Sequence, residues 1–112
     1  MKPPRMVLAG VAVAAIAAVG VGVAPATASG PQVVLKNISF KPSTLTVKKG
    51  TTVTWSWQDG VTAHNVTSKG ALKFKSSPTQ QKGTWKVRFT KAGTYKYVCT
   101  VHPGMAGKIV VR

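Results

Sequence analysis

From residue 32 onward the chain is a series of short apolar and polar runs separated by Gly, Pro, Asn and Asp. Val53, Trp55 and Trp57 alternate with Thr and Ser, which places the three apolar side chains on one face of a strand. Such alternation predicts one face toward the core and one toward water. The runs predict seven strands, at residues 33–38, 44–48, 51–57, 64–67, 84–89, 94–99 and 107–111.

A second strand repeats this alternation, with Trp85, Val87 and Phe89 opposed to Lys86 and Arg88. We expect the tryptophans of both strands in the core, because large aromatic side chains dominate the burial of small domains. Residues 68–79 are less regular and predict a loop or a loose edge strand. Seven short strands in one small chain predict an all-β sandwich.

The first part of the chain has the order of a targeting segment. Residues 6–24 carry no charge and follow Lys2 and Arg5, and a small-residue run comes after them. This order is typical of a signal peptide, which we place at residues 1–28. The apolar stretch is also long enough to span a bilayer, so an uncleaved membrane anchor is the alternative. We expect an exported protein of the periplasm, the cell envelope or the extracellular space.

Residues 29–112 would then form the mature protein, with 84 residues and a single domain. A domain of this size buries a modest core, and it has one cysteine and therefore no internal disulfide. A metal ion that binds only the folded state would add stability by mass action. We expect a monomer.

The charge is strongly positive. The chain has 16 Lys and Arg and one acid, Asp59; without Lys2 and Arg5 there are 14 basic residues, and 14 − 1 gives a formal charge of +13. Such a surface attracts anionic partners, for which an acidic protein surface or an anionic cell envelope are the candidates. Apart from the pair Lys48 and Lys49, the lysines are scattered singly and form no long run, so we expect no nucleic-acid binding. They also serve as solvated strand faces and protect edge strands from pairing.

Beyond residue 28 the chain contains one cysteine, two histidines and one methionine: Cys99, His64, His102 and Met105. Three of them follow the predicted strand at residues 94–99 with the spacing C-x₂-H-x₂-M. A thiolate, two imidazoles and a weak thioether form the ligand set of a trigonal copper site with a long axial bond. A strand that ends at Cys99 delivers its sulfur to one end of the sandwich, and a short loop returns the next two side chains to that point.

Each of these residues has a simpler interpretation when taken alone. Cys99 is then an idle or dimerising thiol, the histidines are surface or core residues, and Met105 fills a hydrophobic core. The joint pattern after a strand favours one metal site over four unrelated residues. Zinc also binds Cys and His, but a zinc site rarely recruits methionine.

The segment from Tyr97 to Met105, together with His64 and Asn65 upstream, resembles the cupredoxins, the plastocyanin/azurin family, and especially their amicyanin-like small blue-copper proteins. The resemblance covers nearly all of residues 33–111. It implies a Greek-key, cupredoxin-like β-sandwich of about seven to eight strands. It also implies electron transfer as the function.

By this resemblance His64, Cys99 and His102 are the equatorial ligands and Met105 is the axial ligand of one copper ion per chain, which cycles between Cu(2+) and Cu(+). Asn65 and Thr100 are similar to family positions that tie the two ligand loops together by hydrogen bonding. Such contacts orient metal ligands.

The resulting hypothesis is a type 1 (blue) copper protein that carries single electrons between redox partner proteins with acidic surfaces outside the cytoplasm. The alternative with the same ligands is a copper-binding protein for copper delivery, storage or homeostasis. A cationic envelope binder with a vestigial metal site is a further alternative. We expect no enzyme, because multicopper oxidases and copper nitrite reductases need further histidines and this chain has two.

Overall fold

The computed structural model describes residues 30–112, so the predicted signal peptide at residues 1–28 lies outside the described part of the chain. The described residues form eight strands: β1 Gln32–Leu35, β2 Phe40–Lys41, β3 Thr44–Val47, β4 Thr51–Trp57, β5 Thr67–Ser68, β6 Gly83–Phe89, β7 Gly93–Val98 and β8 Ala106–Val111. Within residues 30–112, no helix is long and apolar enough to cross a membrane.

The strands form two four-stranded sheets, with the orders β2-β1-β4-β6 and β3-β8-β7-β5. The β1/β4 and β3/β8 pairs are parallel, whereas the other pairs within the two sheets are antiparallel. The predicted all-β sandwich is therefore confirmed. Each sheet is mixed, however, although the alternation in the sequence is typical of antiparallel sheets. Strand alternation reports which face is buried and carries no information about the direction of the neighbouring strand.

The core between the sheets is aromatic. Trp55 is fully buried and packs edge-on against Tyr97, with ring centroids 5.5 Å apart, and parallel to Phe74 at 5.7 Å. Phe74 belongs to the segment that the sequence predicts as irregular, and it also packs against Phe89 and Tyr95. The connection between β5 and β6 is thus part of the hydrophobic core.

Two strands have bounds in the structure that differ from those predicted. The first strand ends at Leu35, because Asn37 and Ile38 adopt left-handed backbone angles, with φ of 54° and 52°, which a strand does not accommodate. The strand predicted at residues 64–67 is wrong in its bounds. Strand β5 is Thr67–Ser68, and His64 makes an isolated bridge with Gln80. The backbone before β5 instead bonds to loop residues and holds buried side chains.

Candidate metal centre

The four candidate ligands come from two loops at one end of the sandwich. His64 lies between β4 and β5, Cys99 directly follows β7, and His102 and Met105 lie before β8. The second loop closes on itself, because the Cys99 N–H donates to the Met105 carbonyl at 2.9 Å and the Met105 N–H donates to the His102 carbonyl at 3.1 Å. Gly104 has a φ of 87°, which this tight turn requires and a side chain would disfavour.

Three potential donor atoms converge on one point. The Nδ1 atoms of His64 and His102 lie 3.1 Å apart, and the Cys99 Sγ lies 3.8 Å and 3.7 Å from them. His64 is fully buried, Cys99 is 3% exposed, and His102 is half-buried. Met105 is 3% exposed at the end of the same loop. The structure thus brings the two imidazoles and the thiol predicted from the sequence into one triangle.

This triangle fits a soft metal ion. Two imidazole nitrogens and a thiolate sulfur face one another, and each can offer a lone pair to the same cation. Cysteine, methionine and imidazole together select copper over hard cations such as magnesium. The buried thioether of Met105 completes the soft donor set in the sequence, and the chemistry of the four side chains therefore suits copper.

Asp59 fixes the orientation of the buried imidazole. The His64 Nε2–H donates to Asp59 Oδ2 at 2.7 Å, which leaves Nδ1 as the free nitrogen on the side of Cys99. The carboxylate also accepts the backbone N–H groups of Asn37 and Ile38, each at 3.0 Å. The hydrogen bond from His64 first, and that from Ile38 second, lower the pKa of Asp59 to about 2.

This role is missed in the sequence analysis, which considers Asp59 only as the one acid in the charge count. The sequence nevertheless contains a feature that indicates this role of Asp59. The chain places its single carboxylate side chain five residues before a candidate histidine ligand. A histidine that binds metal through one nitrogen commonly donates its other N–H to a carboxylate.

Asn65 connects the two ligand loops and uses all of its side-chain capacity. Its Nδ2 donates to the hydroxyls of Thr79 and Thr100 at 2.9 Å and 2.7 Å. Its Oδ1 accepts the Thr67 hydroxyl at 2.8 Å and the Thr100 N–H at 3.0 Å. The Asn65 N–H also points to the Cys99 Sγ at 3.5 Å. The loop linkage expected from the resemblance is present in these contacts.

Trp57 supports the site from the core. Its indole N–H donates to the His64 carbonyl at 2.8 Å, and the same carbonyl accepts the Gln80 N–H at 3.0 Å. Trp57 is 5% exposed, so the His64 backbone is attached to the rigid β4 strand. His64 is therefore held both by its backbone and by its ring.

Each ligand loop carries an exposed apolar side chain. Val61 is 82% exposed and Val101 is 45% exposed, and both lie in the two ligand loops. Pro103 and Gly104 are also exposed, next to the half-buried His102. Exposed apolar side chains grouped around a site commonly mark a contact surface for another protein.

Comparisons with known proteins agree with this geometry. A family model described as copper binding proteins of the plastocyanin/azurin family matches residues 31–112. Amicyanin-alpha from Methylorubrum extorquens is 34% identical over 77% of this chain and 75% of its own length. Amicyanin from Paracoccus denitrificans is 36% identical over 69% of this chain and 61% of its own length. A solved purple cupredoxin from Nitrosopumilus maritimus has a TM-score of 0.67 and 28% identity, over 73% of this chain and 99% of that structure.

Proposed function

Because the chain belongs to the plastocyanin/azurin family of copper-binding proteins, we propose that His64, Cys99, His102 and Met105 hold its copper ion and that the protein carries single electrons between partner proteins. A copper ion in such a site takes up one electron as Cu(2+) and gives it up again as Cu(+). One site of this kind per chain agrees with the single cysteine.

The observation that carries the proposal is the triangle formed by the two Nδ1 atoms and the Cys99 sulfur. It is held in place by groups of this chain. Asp59 fixes one ring of the triangle, and Asn65 fixes the distance between the two loops. A site whose ligands are already positioned needs little rearrangement when its charge changes by one, and this favours rapid electron transfer over copper release.

In this proposal, electrons pass to a partner protein through the half-buried ring of His102. It lies beside exposed Pro103 and Gly104, and Val101 adds apolar surface. We propose that a redox partner with an acidic surface contacts this end of the sandwich, with the positive charge of the chain steering the approach. We also propose that the protein is an exported monomer, since residues 1–28 have the pattern of a signal peptide.

No catalytic role is proposed. The chain has two histidines and both lie in the candidate centre, so none is left to build a second metal site of imidazole ligands.

Copper retention distinguishes an electron carrier from a delivery protein. Copper-loaded protein is challenged with excess chelator in the oxidised state and again after reduction by ascorbate, and copper loss is followed over time. A carrier keeps its copper in both states and shows a reversible one-electron wave in protein-film voltammetry. Rapid transfer of Cu(+) to the chelator, without a reversible wave, would contradict the proposal and favour copper delivery.

A further inference from the structure

Three lysines form a row across the outer face of the second sheet. Lys96 of β7 lies directly opposite Lys108 of β8, and Lys108 lies opposite Thr44 of β3. On the other side, the Lys69 N–H donates to the Lys96 carbonyl at 2.9 Å, which extends the row to the end of β5. The three lysines are exposed. We call this row, with the groove between its side chains, the lysine groove.

The lysine groove is an open depression with an apolar floor. Its volume is about 340 Å³, and its lining includes the three lysines, Val98 and Ala106. Val98 is half-buried, and Ala106, directly opposite it, is exposed. The groove therefore combines a strip of small apolar side chains with a row of ammonium groups.

The arrangement is electrostatically unfavourable in the isolated chain. Like charges directly opposite each other on neighbouring strands destabilise a sheet. The chain has one acidic side chain, Asp59, and its carboxylate is already bound to His64 and to two backbone N–H groups elsewhere. Among residues 30–112, no salt bridge involves Lys69, Lys96 or Lys108. A negative group from outside the chain would relieve this repulsion.

Protection of sheet edges does not explain the row. Lysine on an exposed edge strand prevents pairing with another chain. The edge strands of this sheet are β3 and β5, whereas Lys96 and Lys108 lie on the two central strands. At these positions their side chains protect no edge.

We propose that the lysine groove is a docking surface for an extended, acidic segment of a partner protein. Neighbouring strands lie about 5 Å apart, so the row presents ammonium groups over roughly 10 Å, and side chains on one face of an extended segment repeat about every 7 Å. Carboxylates on that face reach the lysines, and small apolar side chains contact Val98 and Ala106. The lysine groove lies on the sheet face and is separate from the His102 end.

The test uses two pairs of charge reversals that change the net charge equally. The first pair is Lys96→Glu with Lys108→Glu in the groove. The matched control is Lys86→Glu with Arg88→Glu, two exposed residues on β6 of the other sheet. The probe is a seven-residue peptide of alternating Glu and Ala, and its affinity for the complete protein is measured by calorimetry at low salt.

We expect the groove pair to weaken peptide binding by about tenfold or more and the control pair by about twofold or less, since only the first pair removes contacts as well as net charge. Chemical-shift changes in the ¹⁵N spectrum should concentrate on β7 and β8. The milder pair Lys96→Gln with Lys108→Gln should give an intermediate loss of peptide affinity. It replaces the charge-reversal pair in the test if that pair does not fold.

Equal losses in the two pairs, or shift changes spread over all exposed lysines, would overturn the proposal in favour of non-specific charge attraction. Groove-dependent binding to vesicles of anionic lipid, without binding to the peptide, would overturn it in favour of a membrane surface. Peptide affinity should be the same with and without copper. The result of this test therefore does not depend on whether the proposed copper function is correct.

Discussion

Removing the Asn65 side chain should loosen both ligand loops at once, because its amide is the main side-chain link between them. The side chain makes four hydrogen bonds, and three of its partners are threonine hydroxyls. Asn65 is 5% exposed, so water does not readily replace the lost amide. Asn65→Ala therefore leaves the Thr100 N–H without its acceptor and opens a small polar cavity between the loops.

The expected loss in the free energy of unfolding follows from these four hydrogen bonds. A net contribution of about 0.5–1.5 kcal/mol for each hydrogen bond gives an upper range of roughly 2–6 kcal/mol. Thr79 and Thr100 are exposed and Thr67 is half-buried, so their hydroxyls regain water after the substitution. We therefore expect a loss of about 2–3 kcal/mol in the free energy of unfolding, which lowers the melting temperature of a domain this small by roughly 10–20 °C.

Urea unfolding of the copper-free protein, followed by tryptophan fluorescence, measures this loss. Thr79→Ala is the matched control, because it removes one of the four bonds at an exposed position, and it should cost about 1 kcal/mol or less. In the copper-loaded protein, Asn65→Ala should also broaden the visible absorption and shift the reduction potential. A loss no larger than that of Thr79→Ala, with an unchanged spectrum, would refute the role of Asn65 as the link.

Three further predictions concern other contacts. Asp59→Asn should lower copper affinity about tenfold or more in a competition titration, because the carboxylate that orients His64 is lost, and unchanged affinity would contradict that role. Burial raises the pKa of Tyr97 from 10.0 to about 12, so between these pH values the unfolded chain has lost the proton that the folded chain keeps. Stability should therefore fall as pH rises over this window, by up to about 3 kcal/mol. Tyr97→Phe should remove that part of the alkaline loss measured by urea unfolding, and an identical alkaline loss in the Phe variant would contradict it. Gly107→Ala should destabilise the protein by about 1–3 kcal/mol or more, because the new Cβ would lie 2.6 Å from the Tyr97 hydroxyl, and a melting temperature equal to that of the parent protein would show that the contact relaxes freely.

The candidate ligand set could be predicted from the sequence because three of its members share one loop. A spacing of two residues on either side of His102 allows a short turn to return all three side chains to one point, and a preceding strand fixes where that point lies. His64 had to be assigned from residue type and from the family resemblance. The distance from His64 to Cys99 depends on how the two sheets pack, and local sequence patterns do not determine that packing.

The contacts that hold the ligands depend on tertiary structure and were harder to predict. The Asp59 carboxylate beside His64 also accepts the N–H groups of Asn37 and Ile38, whose left-handed angles are unusual for residues other than glycine. The lysine groove depends on the register of β7 with β8. Phe74 packs against the core from a connection that forms no strand, and its contact with Trp55 depends on the tertiary structure.

A titration of the purified protein with Cu(2+), followed by visible absorption and then by addition of ascorbate, tests the proposed centre most directly. We predict an intense absorption band from the Cys99 thiolate that saturates at one copper per chain, bleaches on reduction and returns on reoxidation. Cys99→Ser should lack the band. Copper binding without an intense band, or an unchanged band in Cys99→Ser, would contradict the assignment of Cys99 as a copper ligand.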